Sequence, residues 1–489
     1  MTSDPQQITR NTQPSTRNTP LPTKRLESVA GWGDVSQGVS FVYRPSTVAQ
    51  LRELFEVARA NGRSVGFRGG GNSYGDAAMN DESMLLDLRR LNRILSWDAV
   101  NGRITVEPGV TLRRMWEYII EDGWWLPVAT GTMNITIGGG ASMNVHGKNG
   151  YKVGTFGDHI FEFEMMLPSG EILTCNRDQN SDIFHAAIGG AGLLGCFTSI
   201  TMQMKRIYSG LLHVEACMTA NLAGAMDYLE QHQQDSDYQV GWLDAFAKGK
   251  RLGRAEMHRA THLRPDEDPN PSQTLRLETQ KLPDNIMGII PKSSIWMFQR
   301  PFWNNFGMRY VNMAKYRVGQ FKGAMAFRQP HVQFHFLLDS FDWRKPFGTG
   351  GLIQYQPFIP AGKAEKAFAD ILQLCHRRRL PNYLSVLKRH RPDPFLLTHG
   401  LDGFSLAMDF RITDRNRERV VALVREMDEI VLRANGRFYF AKDSTLRPQT
   451  ARAYLGTEVI EKFHTLKQRC DPTHMLQTNL WRRVLNNEL

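Results

Sequence analysis

Cysteine is scarce: Cys175, Cys196, Cys217, Cys375 and Cys470 are scattered over 489 residues, odd in number and in no CxxC pair. Such spacing argues against a disulfide framework and a zinc site, and predicts free thiols in a reducing compartment. Acidic residues are in deficit, with 49 Asp and Glu against 60 Lys and Arg, giving a formal charge of +11. That balance favours anionic partners: phosphates, nucleic acid or an anionic membrane surface. Long apolar runs are missing as well. No stretch approaches the roughly eighteen uninterrupted apolar residues of a spanning helix, and the N-terminal region has no apolar signal core, so the chain is expected in the cytoplasm. An apolar fraction of 41% with 22% charged residues excludes disorder or coiled coil for the bulk of the chain. At roughly 150 residues per domain, the length predicts two to three domains.

Residues 1–25 are rich in Thr, Pro, Gln, Asn and Ser, cannot offset their ordering entropy, and are read as a disordered tail. After Val42, a Pro-Ser-Thr start, apolar positions Val48, Leu51, Leu54, Phe55 and Ala58, and an Asn61-Gly62 stop predict a helix. Short strands are expected at Met84–Leu88, Arg103–Pro108 and Phe161–Pro168, with a helix over Thr111–Ile120. Interleaved strands, helices and glycine turns describe an α+β domain over 26–206. Beyond it, His331–Asp339, Leu352–Pro360 and Phe404–Ile412 alternate and predict strands of one larger sheet. Helices are expected at Gly362–Arg377 and Asp414–Ala434, strands at Tyr383–Leu387 and Phe438–Ala441, and a closing helix over Ala451–Thr465. The stretch Thr261–Arg300, rich in Pro, Asp and Gln, is read as a loop over a site.

Three glycine clusters carry the chemistry. Arg68–Asp76 (RGGGNSYGD) follows an apolar strand, and glycine lets backbone N–H groups converge on a pyrophosphate without Cβ clashes; a plain tight turn would look similar. Ala129–Ile160 holds eight glycines in thirty-two positions, a backbone able to lie flat against a large planar ligand. Ile188–Met204 is a glycine turn leading into an alternating strand. None fits a phosphate loop of the GxxxxGK[ST] kind or a Rossmann fingerprint. Gln354 and Gln356 share a strand face by period two and can address one ligand.

Together the clusters resemble the FAD-binding domain of vanillyl-alcohol-oxidase-type flavoproteins. HGKN (146–149), IQYQPFIP (353–360), Lys388 in VLK, the strand Gly403–Phe410 and YFAKDS (439–444) extend the likeness to the decaprenylphosphoryl-ribose 2-oxidase family over about residues 30–485. The resemblance implies an α+β, two-part FAD-binding domain (26–206 with 435–489 returning to it) into which an antiparallel-sheet substrate domain (207–434) is inserted. It implies that Arg68, Gly69, Gly70, Gly71, Asn72, Ser73, Tyr74 and Gly75, with Thr130, Gly131, Thr132, Thr136, Gly138 and Gly139, bind the diphosphate and ribityl portions. Asn144, His146, Gly147, Lys148 and Asn149 would lie along the isoalloxazine, and Gly192, Gly195 and Ile200 by the rest of the cofactor. Lys442, His146 and Tyr439 are the implied catalytic residues, while Lys148, Gln354, Gln356, Lys388 and Lys442 are the implied substrate contacts. No metal is expected.

Three departures qualify the likeness. Asn72 stands where related sugar-lactone oxidases often carry the histidine that tethers FAD, so the cofactor is expected to be non-covalent. Ala407 stands where mycobacterial members have a cysteine, and Gly150-Tyr151 where they have two histidines. The expected activity is oxidation of a secondary hydroxyl of a polyprenyl-phosphate-linked sugar, the first half of an epimerisation completed by a partner short-chain reductase. The basic charge would serve the substrate phosphate and an anionic membrane surface, with the protein peripheral on its inner face. The alternatives are a soluble sugar or aldonolactone oxidase and, remotely, a nucleic-acid-binding protein suggested by HRRR (376–379) and KRHR (388–391). No nucleic-acid motif accompanies these clusters, so nucleic acid is not an expected partner.

Overall fold

The computed structural model describes residues 21–282, 285–286, 290–340 and 342–486. Of the tail expected over 1–25, residues 1–20 lie outside the described residues. Residues 21–25 are folded instead: Thr23–Arg25 forms a 3-10 turn, and Leu21 is buried in the cluster containing Leu51 and Phe55. Leu21 and the Arg25 guanidinium over the Tyr43 ring hold this short lead-in against the domain.

Strands β1 (Leu26–Ala30), β2 (Gln37–Tyr43), β3 (Val65–Arg68) and β4 (Met84–Asp87) form a sheet in the order β1-β2-β4-β3. Because β4 is parallel to both β2 and β3, the β2 to β3 connection must be a crossover, and helix α1 (Val48–Ala60) supplies it. Thr47 caps α1 by accepting from the Gln50 N–H, and Leu51, Phe55 and Ala58 bury one face. A second sheet is antiparallel throughout. Its strands β5 (Ile94–Asp98), β6 (Arg103–Val106), β7 (Ile160–Met166), β8 (Ile172–Asn176) and β9 (Cys196–Gln203) lie in the order β5-β6-β9-β7-β8. Helices α2 (Leu112–Ile119) and α3 (Ile137–Ser142) join its strands.

The region after Arg206 builds one large antiparallel sheet. Its strands are β10 (Leu211–Thr219), β11 (Tyr238–Leu243), β12 (Ala255–His262), β13 (Met325–Pro330), β14 (Leu352–Tyr355), β15 (Pro357–Pro360), β16 (Leu384–His390), β17 (Gly403–Arg411) and β18 (Arg437–Phe438). Among the described residues the order is β13-β10-β12-β11-β16-β17-β15-β18, with β14 also paired to β17. Helix α4 (Asn305–Lys322) precedes β13, and α5 (His331–Phe336) follows it. Helices α6 (Ala361–Arg378) and α7 (Arg417–Arg433) pack on each other and on β15. Along β16, Ser385 and Leu387 are fully buried while Leu384, Val386 and Lys388 line a cavity, which is period two at work.

Several expectations are corrected. His331–Asp339 is not a strand but α5 followed by a 3-10 turn over Leu337–Ser340. His331, Val332, Phe334, His335 and Phe336 are all buried, so the helix is enclosed and its residues need not follow a helical stripe. The strand expected over Phe438–Ala441 shrinks to Arg437–Phe438, which pairs with Pro357–Phe358 and so joins the large sheet rather than the returning segment. The closing helix is two, α8 (Pro448–Leu455) and α9 (Thr457–Cys470), divided at Gly456 with φ of 83°. Thr261–Arg300, expected as a loop, carries the end of β12, then short helices and turns and a two-stranded pair of Asn285–Ile286 with Ile290–Pro291, and Lys292 and Ser293 reach the cavity. Its residues 283–284 and 287–289 lie outside the described residues. All five cysteines are free thiols.

The end of the described chain returns to the first sheet. The Val65 N–H donates to the Met475 carbonyl at 2.7 Å, and the Gln477 N–H donates to Val65 at 2.9 Å. Arg483 pairs with both Asp76 and Asp443 at 2.7 Å.

Candidate active site

A cavity of about 920 Å³ lies between the glycine loops and one face of the large sheet. That volume suits a large organic ligand. The sheet contributes alternate residues: Val240 and Trp242 of β11, Glu256 and His258 of β12, Phe327 and Gln329 of β13, Leu384, Val386 and Lys388 of β16, and Ala407 of β17. Facing them are Gly69–Tyr74, Thr130–Thr132, Thr136, Gly138, Gly139, His146, Gly192 and Gly195.

The first loop is shaped for an anion. Gly71 has φ of 66°, a region that side chains other than glycine rarely adopt, and a Cβ on Gly70 would overlap the Asn134 carbonyl oxygen. Among the described residues, the N–H groups of Gly70, Gly71, Asn72 and Ser73 donate to no protein acceptor. Unspent, clustered N–H groups beside a cavity are what a diphosphate needs. The Asn72 amide donates to the Asn134 carbonyl at 3.1 Å, tying the first loop to the second. The second loop is held by the turn that follows α5: Asp339 accepts from the Thr132 hydroxyl and the Met133 N–H, both at 2.7 Å. Burial raises the Asp339 carboxyl, and these two donors oppose that rise.

Three enclosed lysines line the same cavity. Lys442 has its Nζ 3.9 Å from the centroid of the Tyr74 ring, and no protein group accepts a hydrogen bond from it among the described residues. It lies deep in the protein, and its accessible surface faces the cavity. Burial lowers its ammonium and raises the nearby Asp409 carboxyl, so each drifts towards neutrality, although their mutual attraction opposes this. Asp409 accepts from the Gln354 amide at 2.5 Å, its cross-strand neighbour. Lys388 is brought down to about 8 by burial. Lys148 is brought down to about 7, chiefly by burial and then by Lys388, and donates to the Phe334 carbonyl.

His146 lines the cavity beside Gln356. The Gln356 amide donates to its Nε2 at 3.1 Å and also to the Ser405 hydroxyl at 3.1 Å. Since an amide nitrogen only donates, Nε2 is the acceptor and the ring proton is on Nδ1, a buried atom with no partner among the described residues. Burial and the neighbouring Lys388 keep the imidazole neutral. Around it lie His390 at 4.9 Å and Tyr439 at 5.4 Å, centroid to centroid, and burial holds the Tyr439 phenol protonated. Gly150 leaves room for this cluster, since a Cβ there would stand 3.0 Å from His390 Nδ1. Tyr151 turns away, bonding Ser236.

The cavity thus gathers Gly69–Tyr74, the Thr130–Gly139 positions, His146, Lys148, Gly192, Gly195, Gln354, Gln356, Lys388, Tyr439 and Lys442. Six expected cofactor residues do not line it, because each is committed elsewhere. Arg68 donates to the Ala30 and Ala78 carbonyls. Asn144 is held by the Gly157 N–H and Asp393, and Asn149 by the Pro127 carbonyl. Gly75 abuts the Asp443 backbone, Gly147 that of Ala129, and Ile200 is fully buried in β9. These residues shape the loops from behind. Residues that pattern reasoning missed include His335, Asp339 and Asp409. An isolated carboxylate in the apolar strand FSLAMDF was a readable signal for Asp409, whereas the first two sit in the segment mistaken for a strand.

The receptive N–H groups, the unpartnered His146 Nδ1 and the cavity volume all fit FAD. Residues 39–176 match the family described as FAD binding domain. The chain is an FAD-dependent oxidoreductase with the vanillyl-alcohol-oxidase-type fold. Over 479 residues it is 29% identical to decaprenylphosphoryl-beta-D-ribose oxidase of Mycolicibacterium smegmatis, covering 96% of this chain and 99% of that one. It is 28% identical to L-gulonolactone oxidase of Mus musculus over 40% of this chain and 43% of that one. It is also 26% identical to D-arabinono-1,4-lactone oxidase of Debaryomyces hansenii, over 33% and 31% of the two chains. It is, in particular, a decaprenylphosphoryl-ribose oxidase-like FAD-linked oxidase. Among the described residues no helix is long and apolar enough to cross a membrane.

Proposed function

We propose that this protein oxidises a secondary hydroxyl of a sugar carried on a polyprenyl phosphate, leaving a ketone that a partner short-chain reductase reduces to complete an epimerisation. The carrying observation is the set of enclosed lysines, Lys442, Lys388 and Lys148, on the cavity that the glycine loops also line. The near full-length similarity supports the reading, because it includes the sheet domain that would hold the sugar.

Bound FAD supplies the two-electron acceptor for the carbinol hydrogen. The chain handles the rest. Lys442, depressed by burial, takes the hydroxyl proton on Nζ as a neutral amine. Gln354 holds Asp409, which in turn biases Lys442, and Gln356 fixes the His146 tautomer so that its Nδ1–H is left as a donor for a bound ligand. Lys388 offers positive charge to the substrate phosphate, and Tyr439 stays protonated as a hydroxyl donor. The aromatic wall of Trp32, Tyr74 and Trp343 excludes water from one end. The protein would work peripherally at the inner face of the membrane, where such a substrate resides.

The test is anaerobic bleaching of the flavin by a panel of polyprenyl-phosphate pentoses, free sugars and aldonolactones. Bleaching by the lipid-linked pentoses supports the reading. Bleaching by lactones alone would assign the chain to the soluble-sugar oxidases, a class its partial similarity to lactone oxidases also brings into view.

A further inference from the structure

We propose that the outward face of α4, with the segment just before it, is the surface by which this protein docks on a membrane bearing anionic lipid.

The helix is amphipathic the wrong way round for a free surface. Its buried side chains Met308, Asn312 and Tyr316 recur every four residues and mark the inward face. At about 100° per residue, Phe306, Tyr310, Met313 and Phe321 fall on the opposite side. They are in water: Phe306 is 72% and Phe321 94% exposed. Met297, Phe298 and Phe302, just upstream, are exposed as well. A surface helix ordinarily turns polar residues outward, and contiguous exposed apolar patches mark interaction sites.

Charge selects the occupant. Between Asn285 and Leu338 the sequence has seven Lys and Arg and no Asp or Glu. Lys315 turns inward to Glu256 at 2.8 Å, but Arg300, Arg309, Arg317 and Lys322 form no ion pair among the described residues. A protein interface is depleted of charge at its core, and a second copy of this chain would set cations against cations. Aromatic side chains interleaved with free cations match the acyl boundary and headgroups of an anionic bilayer.

Position gives the surface a use. Phe327 and Gln329 of the adjoining β13, and Lys315 on α4 itself, line the cavity. Docking by this face sets the sheet end of the cavity against the bilayer; that it thereby receives a lipid-carried sugar rests on the function proposed above.

The test uses the FAD-loaded full chain and vesicles of phosphatidylcholine with or without phosphatidylglycerol, sedimented at low and high salt. Wild type should bind the anionic vesicles at low salt and release them at high salt. Phe306→Glu with Phe321→Glu should reduce binding at least about tenfold, with flavin spectrum, thermal midpoint and turnover of a short-chain, water-soluble substrate unchanged. Lys363→Gln with Lys366→Gln, on α6, controls for charge removed elsewhere and should bind nearly as wild type does. No wild-type binding at low salt would overturn the proposal, as would a double glutamate variant that binds normally. So would a wild-type dimer that the double variant dissociates while vesicles remain unbound. If vesicles bind through this face but no polyprenyl-phosphate sugar bleaches the flavin, the docking surface stands and the substrate reading fails.

Discussion

Replacing Lys442 by methionine should separate catalysis from stability. Among the described residues the amine has no hydrogen-bond acceptor; it rests on the Tyr74 ring and is pulled towards neutrality by burial. Methionine fills similar volume without a desolvation cost, so the thermal midpoint should equal or exceed that of wild type. Flavin reduction should fall at least about a hundredfold, a barrier increase of about 2.7 kcal/mol, because a single acid–base or electrostatic group commonly contributes this much. Lys442→Arg sharpens the test: a guanidinium keeps the charge but cannot take the hydroxyl proton. Anaerobic stopped-flow across neutral pH reads both. In wild type the rate should rise with pH through the depressed lysine pKa, as the amine becomes a base, and this limb should vanish in both variants. An arginine variant with most of the wild-type rate would reduce Lys442 to an electrostatic role. A methionine variant that reduces flavin at nearly the wild-type rate would refute the mechanism.

FAD should be released intact by acid or heat, since the Asn72 side chain binds the Asn134 carbonyl and offers no nucleophile; flavin remaining with precipitated protein would contradict this. Asp339→Ala removes the acceptor for Thr132 and Met133, so it should weaken FAD retention and cost about 1–3 kcal/mol in stability, read by flavin content and denaturant midpoint. Lys388→Met should stabilise the protein most at low pH. The folded pKa of Lys388, about 8, lies below the usual lysine value, so the buried-charge cost is full below about pH 8 and is lost as pH rises towards the unfolded pKa. The advantage of the variant should shrink by at most about 1.4 kcal/mol per pH unit between pH 8 and 10.5, less where cavity water screens the amine; an advantage independent of pH would refute the burial argument.

Much of the architecture was legible because local signals and burial agreed. Thr47, the Leu51, Phe55 and Ala58 stripe and the Asn61-Gly62 stop place α1 within a few residues. Period two put Gln354 and Gln356 on one wall, where both are found. The signal failed where burial is all-round, as at α5, whose alternation reflects enclosure and not a pleat. It failed again behind the glycine loops. Arg68, Asn144 and Asn149 sit within recognisable motifs, yet their side chains brace backbone carbonyls and amides rather than face the cavity. A motif records which residues a loop needs, and does not distinguish those that touch a ligand from those that hold its backbone in shape. Lys388 and Lys442 needed the resemblance, since nothing local marks an enclosed lysine.

The junction made by Arg483 has a consequence for how the protein is synthesised. It joins Asp76, 407 residues earlier in the chain, and Asp443, next to Lys442, while Met475 completes the edge of β3. The first glycine loop therefore gains its supports only after almost every described residue has left the ribosome. A nascent chain carries its glycine-loop motifs for most of translation without the segment that braces them. Loading with flavin then belongs to the end of synthesis, and unfinished chains should emerge colourless and open to proteolysis.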